Sequence, residues 1–217
     1  TYPLLPEEVR PRIKLATDIL EDIVGHKVVS WRCPRLFGGT HVTNALEALG
    51  YECDATYPMY FYNEQLFPYH PSQENWTEQG SLNLIEIIQF ADMGMESKDD
   101  YGRDKDQWPL YRTQSTEAFI PHIESFMSYL EKNDQSQKPI VLCFYFHPWE
   151  FWEMPEGVIH YGEGGVMPDP FLTKGCGKYC LNQVELLIDW LKSKEASFLT
   201  AGQCARKWRE ILALQEI

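Results

Sequence analysis

His147 and Arg32 are the residues of this chain best placed to do chemistry, and each stands at the end of a strand-like run. His147 closes Ile140-Val141-Leu142-Cys143-Phe144-Tyr145-Phe146, an apolar stretch that reads as a strand buried on both faces. Arg32 directly follows Lys27-Val28-Val29-Ser30-Trp31. Residues just past the carboxyl ends of parallel strands line the ligand crevice of barrels and doubly wound sheets alike. Imidazole exchanges protons near neutrality, and a guanidinium holds carboxylates or other anions through charge-assisted hydrogen bonds. We therefore expect Arg32 and His147 on one rim with an anionic group between them. Asp54 and Asp92 also follow apolar segments, and either is a candidate for the carboxylate that orients His147, with Asp54 preferred. For each, a solvated loop aspartate or a helix cap is the competing reading.

The elements that must position these residues alternate in type. A helix is predicted from Pro6 to Val24, opened by Pro6, Glu7 and Glu8 and closed by Gly25, with Pro11 arguing for a later start of its main body. Strands are expected at Lys27–Trp31, Tyr51–Asp54, Leu84–Phe90, Ile140–Phe146 and Ala196–Thr200. Helices are expected near Val42–Leu49, Thr116–Leu130, Tyr179–Leu191 and Gly202–Leu212. Alternation of this kind predicts an α/β domain of about five mostly parallel strands with flanking helices, spanning 1–217 as one unit. Ala55–Ser81 reads as an ordered aromatic excursion, and the glycines at 162, 164 and 165 as a flexible loop.

Composition removes several classes of function. Lys and Arg number 19 against 32 Asp and Glu, a net charge of −13, which disfavours nucleic-acid backbones as partners. The longest apolar run is far too short to span a membrane. Six cysteines are too few for a disulfide scaffold; Cys33, Cys53, Cys143 and Cys204 read as buried thiols, and Cys176 with Cys180 as a structural pair, a disulfide or half a metal site. The acidic run Asp99–Asp106 reads as a solvated face.

Three segments in correct order resemble the polysaccharide deacetylases of carbohydrate esterase family 4. Trp31-Arg32-Cys33-Pro34 is similar to that family's Arg-x-Pro motif after a strand, Leu49-Gly50-Tyr51-Glu52-Cys53-Asp54 to its Leu-Gly-Tyr…Asp segment, and Phe146-His147-Pro148-Trp149-Glu150 to its strand-ending histidine. The resemblance covers roughly Arg10 to Thr200 and implies part of a distorted (β/α) barrel. It implies that His147 protonates a leaving amine, that Arg32 holds a catalytic carboxylate, and that Pro34, Tyr57, Tyr69 and Trp149 line the substrate site, the rings as sugar-stacking walls. Ordinary core packing is the competing reading for those rings. The family's paired Asp-Asp and His-x-x-x-His motifs, which hold a divalent metal, zinc by analogy, are absent from this sequence, so no metal ligand is assigned. By that analogy the chain begins inside the domain, and a second copy or a separate N-terminal segment is expected to complete it. The implied function is metal-assisted removal of N-acetyl groups from an oligo- or polysaccharide. Hydrolysis of a small amide or ureide, and a catalytically inactive carbohydrate-binding remnant, are the competing functions.

Overall fold

The computed structural model describes residues 5–62, 64–95, 110–134, 136, 138–155 and 157–214. In chain order the elements are α1 (Pro6–Val24), β1 (Ser30–Trp31), α2 (Thr40–Ala48), β2 (Cys53–Asp54), α3 (Met59–Tyr62), β3 (Ile85–Glu86), α4 (Leu110–Thr113), α5 (Thr116–Asn133), β4 (Ile159–Tyr161), β5 (Gly164–Val166), α6 (Pro170–Thr173), α7 (Lys178–Ser193) and α8 (Ala201–Ala213). The described residues fall into two compact units. The first draws on Thr1–Phe90, Ser136–Cys143 and Phe198–Ile217, the second on Ala91–Gln135 and Phe144–Ser197.

In the first unit α1 runs straight through Pro11, which removes one backbone donor from an exposed part of the helix without ending it. Gly25 closes α1 in the left-handed region, φ 72°, where a side chain would be strained. The sheet is parallel in the order β1-β2-β3, with Trp31 opposite Asp54 and Asp54 opposite Glu86. Val9 and Ile13 of α1 and Ala45 and Leu46 of α2 pack with Tyr51 and Leu84 in one apolar cluster. Cys53, Ile85 and Ile87 pack with Ala205 and Trp208 of α8 in another. Side chains alternate across a strand, so Asp54 and Glu86, each next to a residue of the α8 cluster, turn to the opposite face of the sheet.

The second unit is mainly helical. Phe119, Ile123, Phe126 and Leu130 of α5 and Cys180, Leu187 and Leu191 of α7 are among its buried apolar positions. Ser115 caps α5 by accepting from the Ala118 amide, and the Thr116 amide donates to the Gln183 side chain of α7 at 2.6 Å.

The mixed α/β class and the parallel pairing are present; of the five strands among the described residues three are parallel, and these are shorter than expected. Each parallel strand is a dipeptide, and the three stand in a row without closing. Residues 140–146 and 196–200 lie outside the paired strands. The first of these segments touches the sheet region through the Phe90 amide and the Gln89 side-chain amide, which both donate to the Cys143 carbonyl at 3.0 and 2.9 Å. Residues 140–145 are half-buried rather than buried on both faces. An apolar run signals burial, and it does not by itself supply a pairing partner. Where a flexible loop was expected, β4 and β5 form an antiparallel hairpin turned by Gly162 and Glu163, with Gly162 at φ 56°. The expected solvated acidic face at 99–106 lies outside the described residues.

Candidate functional site

The carboxyl edge of the parallel sheet gathers Arg32 from the end of β1, Asp54 from β2 and Glu86 from β3. Both carboxyl groups are fully buried. Glu86 was not among the candidates from sequence, because it sits inside the apolar run Leu84–Phe90. A lone glutamate in such a run was the available signal, since a buried charge demands partners.

Glu86 Oε1 accepts from the backbone amides of Thr56 and Tyr57 at 3.0 and 2.8 Å. Asp54 Oδ1 accepts from the Thr56 hydroxyl, whose oxygen in turn accepts from the Cys33 amide at 2.9 Å. The second oxygens, Asp54 Oδ2 and Glu86 Oε2, have no hydrogen-bond partner, and neither does Gln89 Oε1. Arg32 donates from Nε to the Ala55 carbonyl at 2.8 Å and from Nη2 to Cys143 Sγ at 3.0 Å. Loss of water raises Asp54 to about 7, opposed by the Thr56 hydrogen bond and the Arg32 charge. Burial and then the Asp54 charge raise Glu86 well above the usual carboxylate range, with Arg32 opposing. Just beyond, Pro34 opens an exposed turn in which Arg35 and Leu36 both adopt φ 58°, a strained conformation for residues with a Cβ.

Tyr57 and Tyr69, expected as sugar-stacking walls, pack against each other edge to face at 5.9 Å, and Tyr57 also meets Trp76 at 5.8 Å. Tyr57 is fully buried and its hydroxyl accepts from the Glu64 and Gln65 amides; the Tyr69 hydroxyl donates to the Trp76 carbonyl at 2.7 Å. In this conformation neither ring offers a face to a sugar.

His147 and Trp149 belong to the second unit. The rings of His147 and Trp149 stack at 5.4 Å and 14°, and the Arg112 guanidinium lies over the Trp149 ring at 5.4 Å. Glu150 accepts the His147 amide through Oε2 at 2.7 Å and Arg112 Nε through Oε1 at 3.0 Å. Arg112 and Glu150 are both fully buried, and neither was a candidate from sequence. Asp92 is held by a different imidazole from the expected one: His122 Nδ1 lies 2.7 Å from Oδ2, while Ser125 Oγ and the Gly94 amide donate to Oδ1 at 2.6 and 2.9 Å. Burial works to raise Asp92, but these three hydrogen bonds together hold it below its ordinary value. Serine and histidine both bond the carboxylate here, whereas a catalytic triad needs the serine on the imidazole. Cys176 and Cys180 are free thiols, as are the other four cysteines.

Among the described residues no three His, Cys, Asp or Glu side chains cluster closely enough to hold a metal ion. The described residues therefore offer no set of ligands for the zinc of the deacetylase resemblance, and no chemical step is derived through it. No helix among the described residues is long and apolar enough to cross a membrane. Comparison with family models, curated proteins and solved structures finds no match to this chain.

Proposed function

We propose that this chain is a hydrolase of amide bonds of the polysaccharide deacetylase type, acting on an N-acetylated sugar, with a fold related to that family's distorted barrel. The observation that carries the reading is the placement of Arg32 and Asp54: an arginine leaves one parallel strand beside a strand that ends in a fully buried carboxyl, and its charge opposes that carboxyl's upward shift. Carboxyl ends of parallel strands are where α/β folds build sites, and a guanidinium there favours the ionised form of a nearby carboxyl. In this reading water adds to the acetyl carbonyl, the carbon–nitrogen bond breaks, and His147 gives the departing amine its proton. The His147 backbone is held for that task by Glu150, itself clamped by Arg112.

The test is acetate release from N-acetylglucosamine oligomers, with and without added zinc. Acetate formation is expected, and His147→Ala is expected to reduce it by roughly 10²–10⁴-fold, the usual contribution of a positioned acid. Ammonia from a small ureide with no acetate from the sugars would transfer the same residues to ureide hydrolysis. Oligosaccharide binding without turnover of either substrate would make the chain a binding remnant.

A further inference from the structure

We infer that Asp54 and Glu86 form a one-proton dyad in which Glu86 keeps the proton and Asp54 is the member that ionises. The two are register partners on adjacent parallel strands, so their side chains leave the same face of the sheet side by side. Both are fully buried. Their oxygens divide cleanly: Asp54 Oδ1 and Glu86 Oε1 are satisfied by Thr56 and by the Thr56 and Tyr57 amides, whereas Asp54 Oδ2 and Glu86 Oε2 lack any donor.

Two ionised carboxylates in that position would leave two buried anionic oxygens unmet and place like charges side by side. One proton turns one of these acceptors into a donor. It also leaves a single negative charge on the pair, and the Arg32 field favours that charge at either group. The described thiols and phenol that interact with the pair add no charge to it. Burial raises the thiols of Cys33, to about 11, and Cys53, to about 12, and raises Cys143 and the Tyr69 phenol, so all four are neutral at pH 7. Glu86 is the holder because burial and the Asp54 charge together outweigh the two amide donors on its Oε1. Glu86 is thus a positioning residue that acts through Asp54. Its role in turnover rests on the amide-hydrolase reading; its proton does not.

Carbon-13 NMR of the carboxyl groups of Asp- and Glu-labelled full chain, titrated from pH 4 to 9, reads the protons directly. The expected result is one glutamate still protonated at pH 7 and one aspartate titrating near there. Full ionisation of every carboxyl below pH 5 would overturn the inference. Glu86→Gln supplies a neutral stand-in that can still accept the Thr56 and Tyr57 amides, and it should leave the aspartate titration in place. A drop of that titration by a full pH unit would mean that Glu86 had been charged, and would also overturn it. If the variant does not fold, the wild-type titration decides alone. Absence of acetate release with this titration intact rejects the hydrolase and keeps the dyad; acetate release with all carboxyls ionised does the reverse.

Discussion

Arg32 in the first unit acts on two buried carboxyl groups, whereas Arg112 in the second is paired with one. The pairing of Arg112 with Glu150 is one to one, both Glu150 oxygens are engaged, and Arg112 Nη1 also donates to the Phe171 and Lys174 carbonyls. Only Arg112 Nη2 lacks a conventional acceptor, and it lies on the guanidinium that perturbs the Cys176 thiol. In the Asp54–Glu86 pair, by contrast, two buried carboxyl oxygens are unmet. A matched, hydrogen-bonded pair shapes a loop; an unmatched one stores a protonation equilibrium. The same residue types therefore serve as scaffold in one unit and as candidate chemistry in the other.

The largest expected effect breaks the matched side of this comparison. Arg112→Met leaves Glu150 buried without its cation and should cost about 3–5 kcal/mol in denaturant unfolding, while Arg112→Met with Glu150→Leu should recover most of that loss. Glu86→Gln, which replaces a group already neutral, should cost far less than Arg112→Met in the same experiment. Equal losses would erase the distinction between the clusters.

Next comes the backbone that the matched pair holds. Gly175 sits at φ 71°, and a Cβ there would lie 2.2 Å from the Arg112 carbonyl oxygen. Gly175→Ala should therefore destabilise by roughly 1–3 kcal/mol. Gly25→Ala at φ 72°, with open space around it, should cost less, about 1 kcal/mol.

The unmatched side should be read out by pH. Asp54 takes up its proton near pH 7 when folded but near pH 4 when unfolded, so between those values the folded chain binds more protons. Its contribution is complete below about pH 4 and is lost as pH rises through about 7, so Tm should fall over that interval. Glu86, also raised, adds to the same decline, so Asp54→Asn should make it shallower without removing it. Asp92, held below its ordinary value, contributes with the opposite sign and only in acid, so it does not blur the measurement. The smallest effect belongs to the exposed Lys27–Glu21 pair at 2.7 Å: Lys27→Met should leave Tm unchanged within error, because solvent screens such pairs.

Helices were legible in the sequence because their ends carry local chemistry. Pro6 and Gly25 bound α1 where the pattern placed them, and Thr200 caps α8 by accepting the Gln203 amide. Strands were legible as places rather than as lengths, since pairing depends on segments far apart in sequence. Arg32 and Asp54 could be found because each ends an apolar run. Glu86 was hidden inside one, and Arg112 gains its meaning from Glu150, 38 residues away. The division into two units left no mark either, because both Phe90/Ala91 and Cys143/Phe144 fall within apolar stretches that give no linker signal.

That interleaving has a consequence for how the chain is made. The sheet of the first unit is covered on one side by Ala205 and Trp208, which emerge from the ribosome after the whole second unit has been synthesised. Until α8 arrives, Ile85 and Cys53 lack the surface that buries them, so the part of the protein translated first is the part finished last. The second unit can complete its own helical packing in the meantime, a reversal of the usual order in which N-terminal domains fold ahead of those that follow.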